Sequence, residues 1–200
     1  VRSEETKAIQ LLTREWVHSQ DIKNFYDQQG ICHVVVPEGG HLKPGMFCVG
    51  GDSHSPTGGA FGTYMFGIGA TEMAGVLVTG EIWIKVPQTI LVNWHGRLSR
   101  YVTAKDMMLA TCKDIGMGGG RYQAIQFAGE AVHALSMQDR MTMSNMAAEL
   151  GAQAGLIMPD EKTAAYVEAA GGIMPVDWQQ YSIEQVAKGD HLISYDAPDL

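Results

Sequence analysis

Between Gly51 and Gly69 the chain reads GDSHSPTGGAFGTYMFGIG, six glycines placed directly after the apolar run Met46–Val49. So much glycine fits neither a helix interior nor a regular strand, because glycine loses the most backbone freedom on folding and brings no side chain to pack. The segment must therefore bend sharply or be approached closely by other backbone. The run before it reads as a short buried strand, so the glycine segment leaves a strand end. Asp52, Ser53 and His54 stand at that point. On a strand, Asp52 and His54 would share one face and Ser53 would take the other. On a tight loop all three can converge on one small polar ligand. A glycine-rich turn with a chance polar cluster is the alternative reading of these three residues alone.

Strand and helix signals alternate along the chain, which predicts an α/β fold. Ile9, Leu11, Leu12, Trp16 and Val17 recur at helical spacing over residues 3–20, with Ser3 as the cap. Cys32–Val36 and Met46–Gly50 read as strands, with a turn between them. Thr71–Thr79 reads as a helix in which Gly75 lets something pack close. Ile82–Val86 and Thr89–Trp94 read as two strands broken at Pro87-Gln88, and a domain boundary is expected near residue 87. Further on, Thr103–Ile115 reads as a helix capped by Thr103, Gln123–Phe127 as a strand, Ala131–Leu135 and Asn145–Leu150 as helical, Gly155–Met158 as a buried strand, and Asp160–Ala170 as a helix capped by Asp160. The glycine loop GMGGGR from Gly116 fails the dinucleotide pattern GxGxxG, because Arg121 stands where the last glycine belongs.

Composition narrows the function classes. Of 200 residues, 46% are hydrophobic and 18% charged, as in a globular chain with a sizeable core. The net charge of −8 argues against a nucleic-acid partner, which needs a basic face. It also requires any anion site to be built locally from backbone N–H groups, Arg, Lys or His. The apolar runs are too short to span a membrane, and no charged-then-apolar leader opens the chain. Cys32, Cys48 and Cys112 are sparse and include no CxxC pair, which suits a reducing compartment and small buried side chains. The expected location is the cytoplasm, or the mitochondrial matrix in a eukaryote.

Several motifs occur together in order. Gly30-Ile31-Cys32-His33 is followed by Pro37-Glu38 and Pro44-Gly45, then by the Asp52-Ser53-His54 segment with its GAFG and FGIG. Thr103-Ala104-Lys105-Asp106 comes next, then Ser136-Met137, Arg140-Met141-Thr142, Asn145-Met146, Glu149-Leu150-Gly151-Ala152 and Pro159–Thr163. This series resembles the aconitase superfamily, and within it the large subunits of the 3-isopropylmalate dehydratase and homoaconitase type. It covers residues from about 28 to about 166.

The resemblance implies layered α/β/α domains. Residues 1–87 would be the C-terminal portion of a first such domain, carrying GICH and the Asp-Ser-His motif. Residues 88–200 would be a second, carrying the NM-x-x-E-x-GA block. It implies a hydro-lyase that moves water on a hydroxy di- or tricarboxylate through an alkene. The intact protein would use a 4Fe–4S cluster whose iron acts as a Lewis acid. The cysteine segments that hold this cluster in the family have no counterpart here, so the chain reads as an internal stretch of a longer large subunit, with no cluster held by this chain alone. A small dehydratase subunit or a mobile C-terminal domain would be the partner and would supply the base.

For the site, the resemblance pairs His33 with Asp52 and His54 with Glu149 as the catalytic groups. Ser53, Asn145 and Arg140 become candidates for substrate binding. A carboxylate on one ring nitrogen fixes the tautomer, so that the other nitrogen can present a proton to an anion. From the residues alone, His33 also reads as a core histidine, Glu149 as a solvent-facing helix residue, and Arg140 as half of a surface salt bridge. His41, His95, His133 and His191 have no motif support and read as surface or structural. Two further classes stay open: a mononuclear metal hydrolase or lyase liganded by His33, Asp52, His54 and Glu149, and a non-catalytic module that keeps the fold.

Overall fold

The run ahead of the glycine segment is indeed a strand, β1 (Phe47–Gly50), and the segment is a crossover to a parallel neighbour, β2 (Tyr64–Gly67). Parallel strands cannot be joined by a tight hairpin. Here the connection is a loop and a 3-10 turn, Ser55–Phe61, every residue of which is buried. The computed structural model describes residues 3–181 and 191–199. It divides the chain into two compact units, residues 1–31 and 32–200.

In the first unit, helix α1 (Glu4–Ser19) starts where the sequence places it, with Ser3 Oγ accepting from the Thr6 N–H at 3.2 Å. Of the apolar residues at helical spacing only Val17 is buried. Arg14 donates to Asp27 at 2.7 Å.

The second unit holds α2 (Cys32–Glu38), β1, β2, α3 (Ala70–Thr79), β3 (Thr89–His95), α4 (Ala104–Ile115), β4 (Ala124–Ala128), α5 (Glu130–Ala134), α6 (Met137–Asn145), β5 (Ala154–Ile157), α7 (Glu161–Ala169) and β6 (His191–Asp196). β5, β4, β3 and β6 form a parallel sheet in that order. β4 is buried along its whole length, as expected of a parallel strand covered on both faces. Val92, Trp94, Ile125, Phe127 and Ile157 from the sheet pack with Met107 and Met108 of α4, Val132 of α5 and Met143 of α6. A smaller core gathers Leu42, Ala60, Phe61, Met65, Met137 and Val167 beneath the 3-10 turn. The passage from the two-stranded to the four-stranded sheet falls between Gly67 and Thr89.

The structure corrects five expectations. None of the cysteines is the small buried side chain expected: Cys32 is exposed, and Cys48 and Cys112 are only partly buried. Cys32–Val36 is not a strand but most of helix α2. Three successive valines favour extended backbone, yet a strand needs a partner, and Val36 instead packs onto the smaller core. Gly40 ends the helix at φ 67°, and the His41 N–H returns to the Val36 carbonyl at 3.3 Å. Ile82–Val86 pairs with no strand among the described residues and leaves Trp83 88% exposed. Asn145–Leu150 is not a continuous helix: α6 ends at Asn145 and only a 3-10 turn, Met146–Ala148, follows. Gly75 meets nothing within 4 Å, so no close approach explains it.

Candidate active site

The crossover from β1 delivers Asp52, Ser53 and His54 to the carboxyl end of a parallel strand, where open α/β sheets place their ligands. The loop is shaped by its own side chains. Ser55 Oγ donates to the Asp52 carbonyl and Thr57 Oγ1 to the His54 carbonyl, both at 2.7 Å. Asp52 accepts the backbone N–H of His54 at 2.7 Å. His54 is thereby held by main chain, and its ring is left for another partner.

That partner is Glu149. His54 Nε2 lies 3.3 Å from Glu149 Oε1 across 95 residues of sequence. The other ring nitrogen, Nδ1, lies 3.2 Å from Ser53 Oγ. Glu149 stands on the turn after α6, where Ala147 and Leu150 are wholly buried; its side chain is partly exposed, yet its Oε2 is buried and finds no hydrogen-bond partner. Two ties fix that turn to the crossover. Asn145 Nδ2 donates to Thr57 Oγ1 at 2.9 Å. A Cβ on Gly59 would sit 1.7 Å from the Gly155 carbonyl oxygen, and one on Gly155 would sit 2.6 Å from Ala147 Cβ. Only glycine permits this approach, and the approach sets how near His54 comes to Glu149.

His33, from α2, completes the group. Its Nδ1 lies 2.9 Å from Asp52 Oδ1, but the N–H direction falls off that line, so this is a short charge contact rather than an aligned hydrogen bond. The His33 and His54 rings are tilted, with centroids 5.7 Å apart. The Asp52 carboxyl is held below the usual carboxylate range, first by the His54 N–H and then, against some burial, by His33. It stays ionised through any neutral pH. The sequence leaves Asp52 free to serve either histidine. In the structure its carboxylate meets the ring of His33 and only the backbone of His54 closely, the His54 Nδ1 being 3.9 Å away.

The remaining candidates divide. Ser53 is at the site. Asn145 lies beside it but spends its amide on Thr57. Arg140 is wholly buried and bonds Asp160 Oδ1 at 2.8 Å and Oδ2 at 2.5 Å, with the His133 carbonyl at 3.0 Å. It is half of a buried structural ion pair rather than a surface one, and both its terminal nitrogens are spent inside the protein rather than on a ligand. Sequence reasoning misses Tyr64, whose hydroxyl donates to buried Gln153 and whose pKa is pushed up to about 12 by burial and by Tyr122 nearby. An aromatic in an apolar strand gives no signal of such a bond.

A cavity of about 390 Å³ adjoins Asp52 and Ser53. A larger one, about 1620 Å³, runs along Phe47, Phe66 and residues 79–88, and neither cavity is lined by His33 or His54. Among the described residues no three His, Cys, Asp or Glu side chains are placed to hold one metal ion, so the four-ligand mononuclear centre does not form. The three thiols are shifted upward from the ordinary cysteine value. Burial pushes Cys48 up, burial and then the Asp52 charge raise Cys32, and burial and then the Glu149 charge raise Cys112.

The scaffold is parallel α/β, and two histidine–carboxylate couples lie beside the end of one of its strands. Residues 2–196 match the Aconitase family (aconitate hydratase), and the chain belongs to that family. It is 42% identical over 191 residues to the probable 3-isopropylmalate dehydratase large subunit of Methanothermobacter thermautotrophicus, covering 95% of this chain and 45% of that relative. It is 47% identical over 162 residues to 3-isopropylmalate dehydratase large subunit 1 of Methanopyrus kandleri, with 80% and 39% covered. It is 45% identical over 167 residues to the probable methanogen homoaconitase large subunit of Methanosarcina mazei, with 83% and 43% covered. The chain spans less than half the length of these curated relatives. No helix among the described residues is long and apolar enough to cross a membrane.

Proposed function

We propose that this chain forms one wall of a hydro-lyase site that dehydrates and rehydrates a hydroxy di- or tricarboxylate, such as 3-isopropylmalate, a related alkylmalate or homoaconitate. The observation that carries this reading is the paired geometry: His33 on Asp52 and His54 on Glu149, with the two rings 5.7 Å apart. Family membership and the names of the relatives support it. The 4Fe–4S cluster of the intact protein is assigned to cysteines outside these 200 residues, because the spacing of Cys32, Cys48 and Cys112 is unlike that of the family's ligand segments. A small subunit or mobile domain supplies the base, and the three free thiols suit a cytoplasmic setting.

The reaction breaks a C–H and a C–O bond and releases water, with no change of oxidation state. A departing hydroxyl needs a proton. When His54 carries a proton on both nitrogens, Glu149 holds the one on Nε2, and the one on Nδ1 can move to the Ser53 oxygen as the Ser53 hydroxyl gives its own proton to the departing hydroxyl, leaving neutral imidazole, serine and water. His33 approaches Asp52 through Nδ1, which leaves Nε2 as the ring atom for a ligand. Ser53 offers its hydroxyl to a substrate carboxylate.

The test follows alkene formation from candidate hydroxy acids by its absorbance, in the polypeptide as expressed with whatever partner co-purifies. His54→Ala and Glu149→Gln are each expected to lower kcat by about 10²–10⁴-fold, with the unfolding temperature little changed, since both side chains are more than a third exposed. Undiminished turnover in both variants would sink the proposal.

A further inference from the structure

Beside Asp52 and Ser53 the smaller cavity has a third polar side chain in its lining, Gln153, which also borders the larger cavity. The residue is only 3% exposed. A glutamine so enclosed carries an acceptor and a donor, and each needs a partner. The acceptor has one, since the Tyr64 hydroxyl donates to Gln153 Oε1. The donor has none: Nε2 bonds no described residue. That nitrogen is not sealed inside the protein either, so its hydrogens face the open space it lines.

The direction of the amide is held from both sides. Burial, and then Tyr122 nearby, push the Tyr64 hydroxyl up to about 12. It therefore stays a phenol at any neutral pH and keeps its proton for the amide oxygen, which leaves the nitrogen for a ligand. Tyr64 opens β2, and Gln153 stands immediately before β5 with its N–H on the Gln123 carbonyl at 2.9 Å. The turn that bears Glu149 leads into it. That turn is tied by the Tyr122 N–H, which donates to the Gly151 carbonyl at 2.8 Å from left-handed backbone at φ 60°. A donor mounted between two strands in this way is held in place before a ligand arrives.

We infer that Gln153 is a further substrate-binding residue, whose Nε2 donates to a carboxylate oxygen of the hydroxy acid held against Ser53. The inference rests on the hydro-lyase reading and goes beyond it by adding a donor that no sequence motif marks. In a chain of net charge −8, an anion site needs N–H donors of this local kind. Asp52 shares the lining. A cation at position 153 would be drawn onto that carboxylate, whereas a neutral amide stays free for the ligand.

The experiment measures KM, kcat and unfolding temperature in the polypeptide as expressed, on whichever of 3-isopropylmalate, a related alkylmalate and homoaconitate the wild type turns over. Gln153→Met removes the donor and keeps the bulk. It is expected to raise KM about tenfold to a hundredfold, as for a lost hydrogen bond to a charged group, with a smaller effect on kcat. Tyr64→Phe removes only the bond that aims the amide and should raise KM less. The double variant separates binding from packing. Gln153→Met leaves the Tyr64 hydroxyl buried without a partner, and adding Tyr64→Phe removes that hydroxyl. The unfolding temperature should recover while KM stays high. A KM that recovers along with the unfolding temperature, or one unchanged in Gln153→Met, overturns the inference and leaves the hydro-lyase reading standing. A wild type that turns over none of these acids overturns both.

Discussion

Asp160→Ala is expected to destabilise the protein by about 4–6 kcal/mol, enough to remove much of the stability of an ordinary domain. Arg140 is wholly buried, and both its terminal nitrogens bond Asp160, which shields its own carboxylate to 22% exposure. Removing one partner strands a buried guanidinium, a loss of about 3–5 kcal/mol. Asp160 also caps α7, accepting from the Lys162 and Thr163 N–H groups at 3.0 and 3.1 Å, and a lost cap costs about 1 kcal/mol. Asp160→Asn keeps a capping oxygen and should cost less. Replacing Arg140 by Met as well should recover part of the loss, since the stranded charge goes with it. Urea unfolding at constant slope checks all three variants.

The same residue sets an acid limit. Burial alone would raise the Asp160 carboxyl, but the Arg140 hydrogen bond and charge, with the Thr163 and Lys162 N–H groups, outweigh it and leave the group below its ordinary value. A depressed folded value means that the stabilisation is fully present above the unfolded pKa of about 4 and is lost as pH falls through the folded one. Wild type should therefore lose stability faster below about pH 4 than Asp160→Ala does. Parallel acid slopes would show that the pair does not act in this way.

Gly59→Ala is the second large effect. Its new methyl would lie 1.7 Å from the Gly155 carbonyl oxygen, an atom of buried β5 backbone that cannot swing aside. The 3-10 turn must move off the sheet, which is expected to cost about 3 kcal/mol or prevent folding. Any folded remainder should lose hydro-lyase turnover, because the displacement takes His54 away from Glu149. Gly75→Ala is the control. Nothing lies within 4 Å of that position, and alanine in a helix interior should stabilise by about 0.5–1 kcal/mol. Equal effects of the two substitutions on the unfolding temperature would contradict the packing described here.

Much of the fold is legible in the sequence wherever an apolar run of strand length meets a loop signal, as at β1, β3, β4 and β5. It is legible too where a helix opens on a capping residue, as at Ser3 and Asp160. It is illegible where pairing decides. Three valines at 34–36 and the apolar run 82–86 look alike as strand formers, yet the first became helix against the smaller core and the second pairs with no described strand. Nothing local to either run states which neighbours will be there. The site divides in the same manner. That the Asp52-Ser53-His54 loop is polar and tightly bent can be read directly. That His54 meets Glu149 cannot be derived from a separation of 95 residues, and it rested on the family resemblance. The left-handed backbone of Tyr122 had no signal at all, because tyrosine is among the residues least expected to adopt it. Arg140 misleads for the opposite reason: in sequence it is one more charge on a helix, and only the fold shows that it is enclosed.

The central claim is that His54 and Glu149 act as one proton-transferring unit in hydroxy-acid dehydration. The most direct measurement is a double-mutant cycle on kcat with His54→Ala, Glu149→Gln and the two combined, in the polypeptide as expressed. If Glu149 works through His54, the double variant should be no slower than His54→Ala alone, within about threefold. Losses that multiply would contradict the account, as would single variants that turn over as fast as wild type.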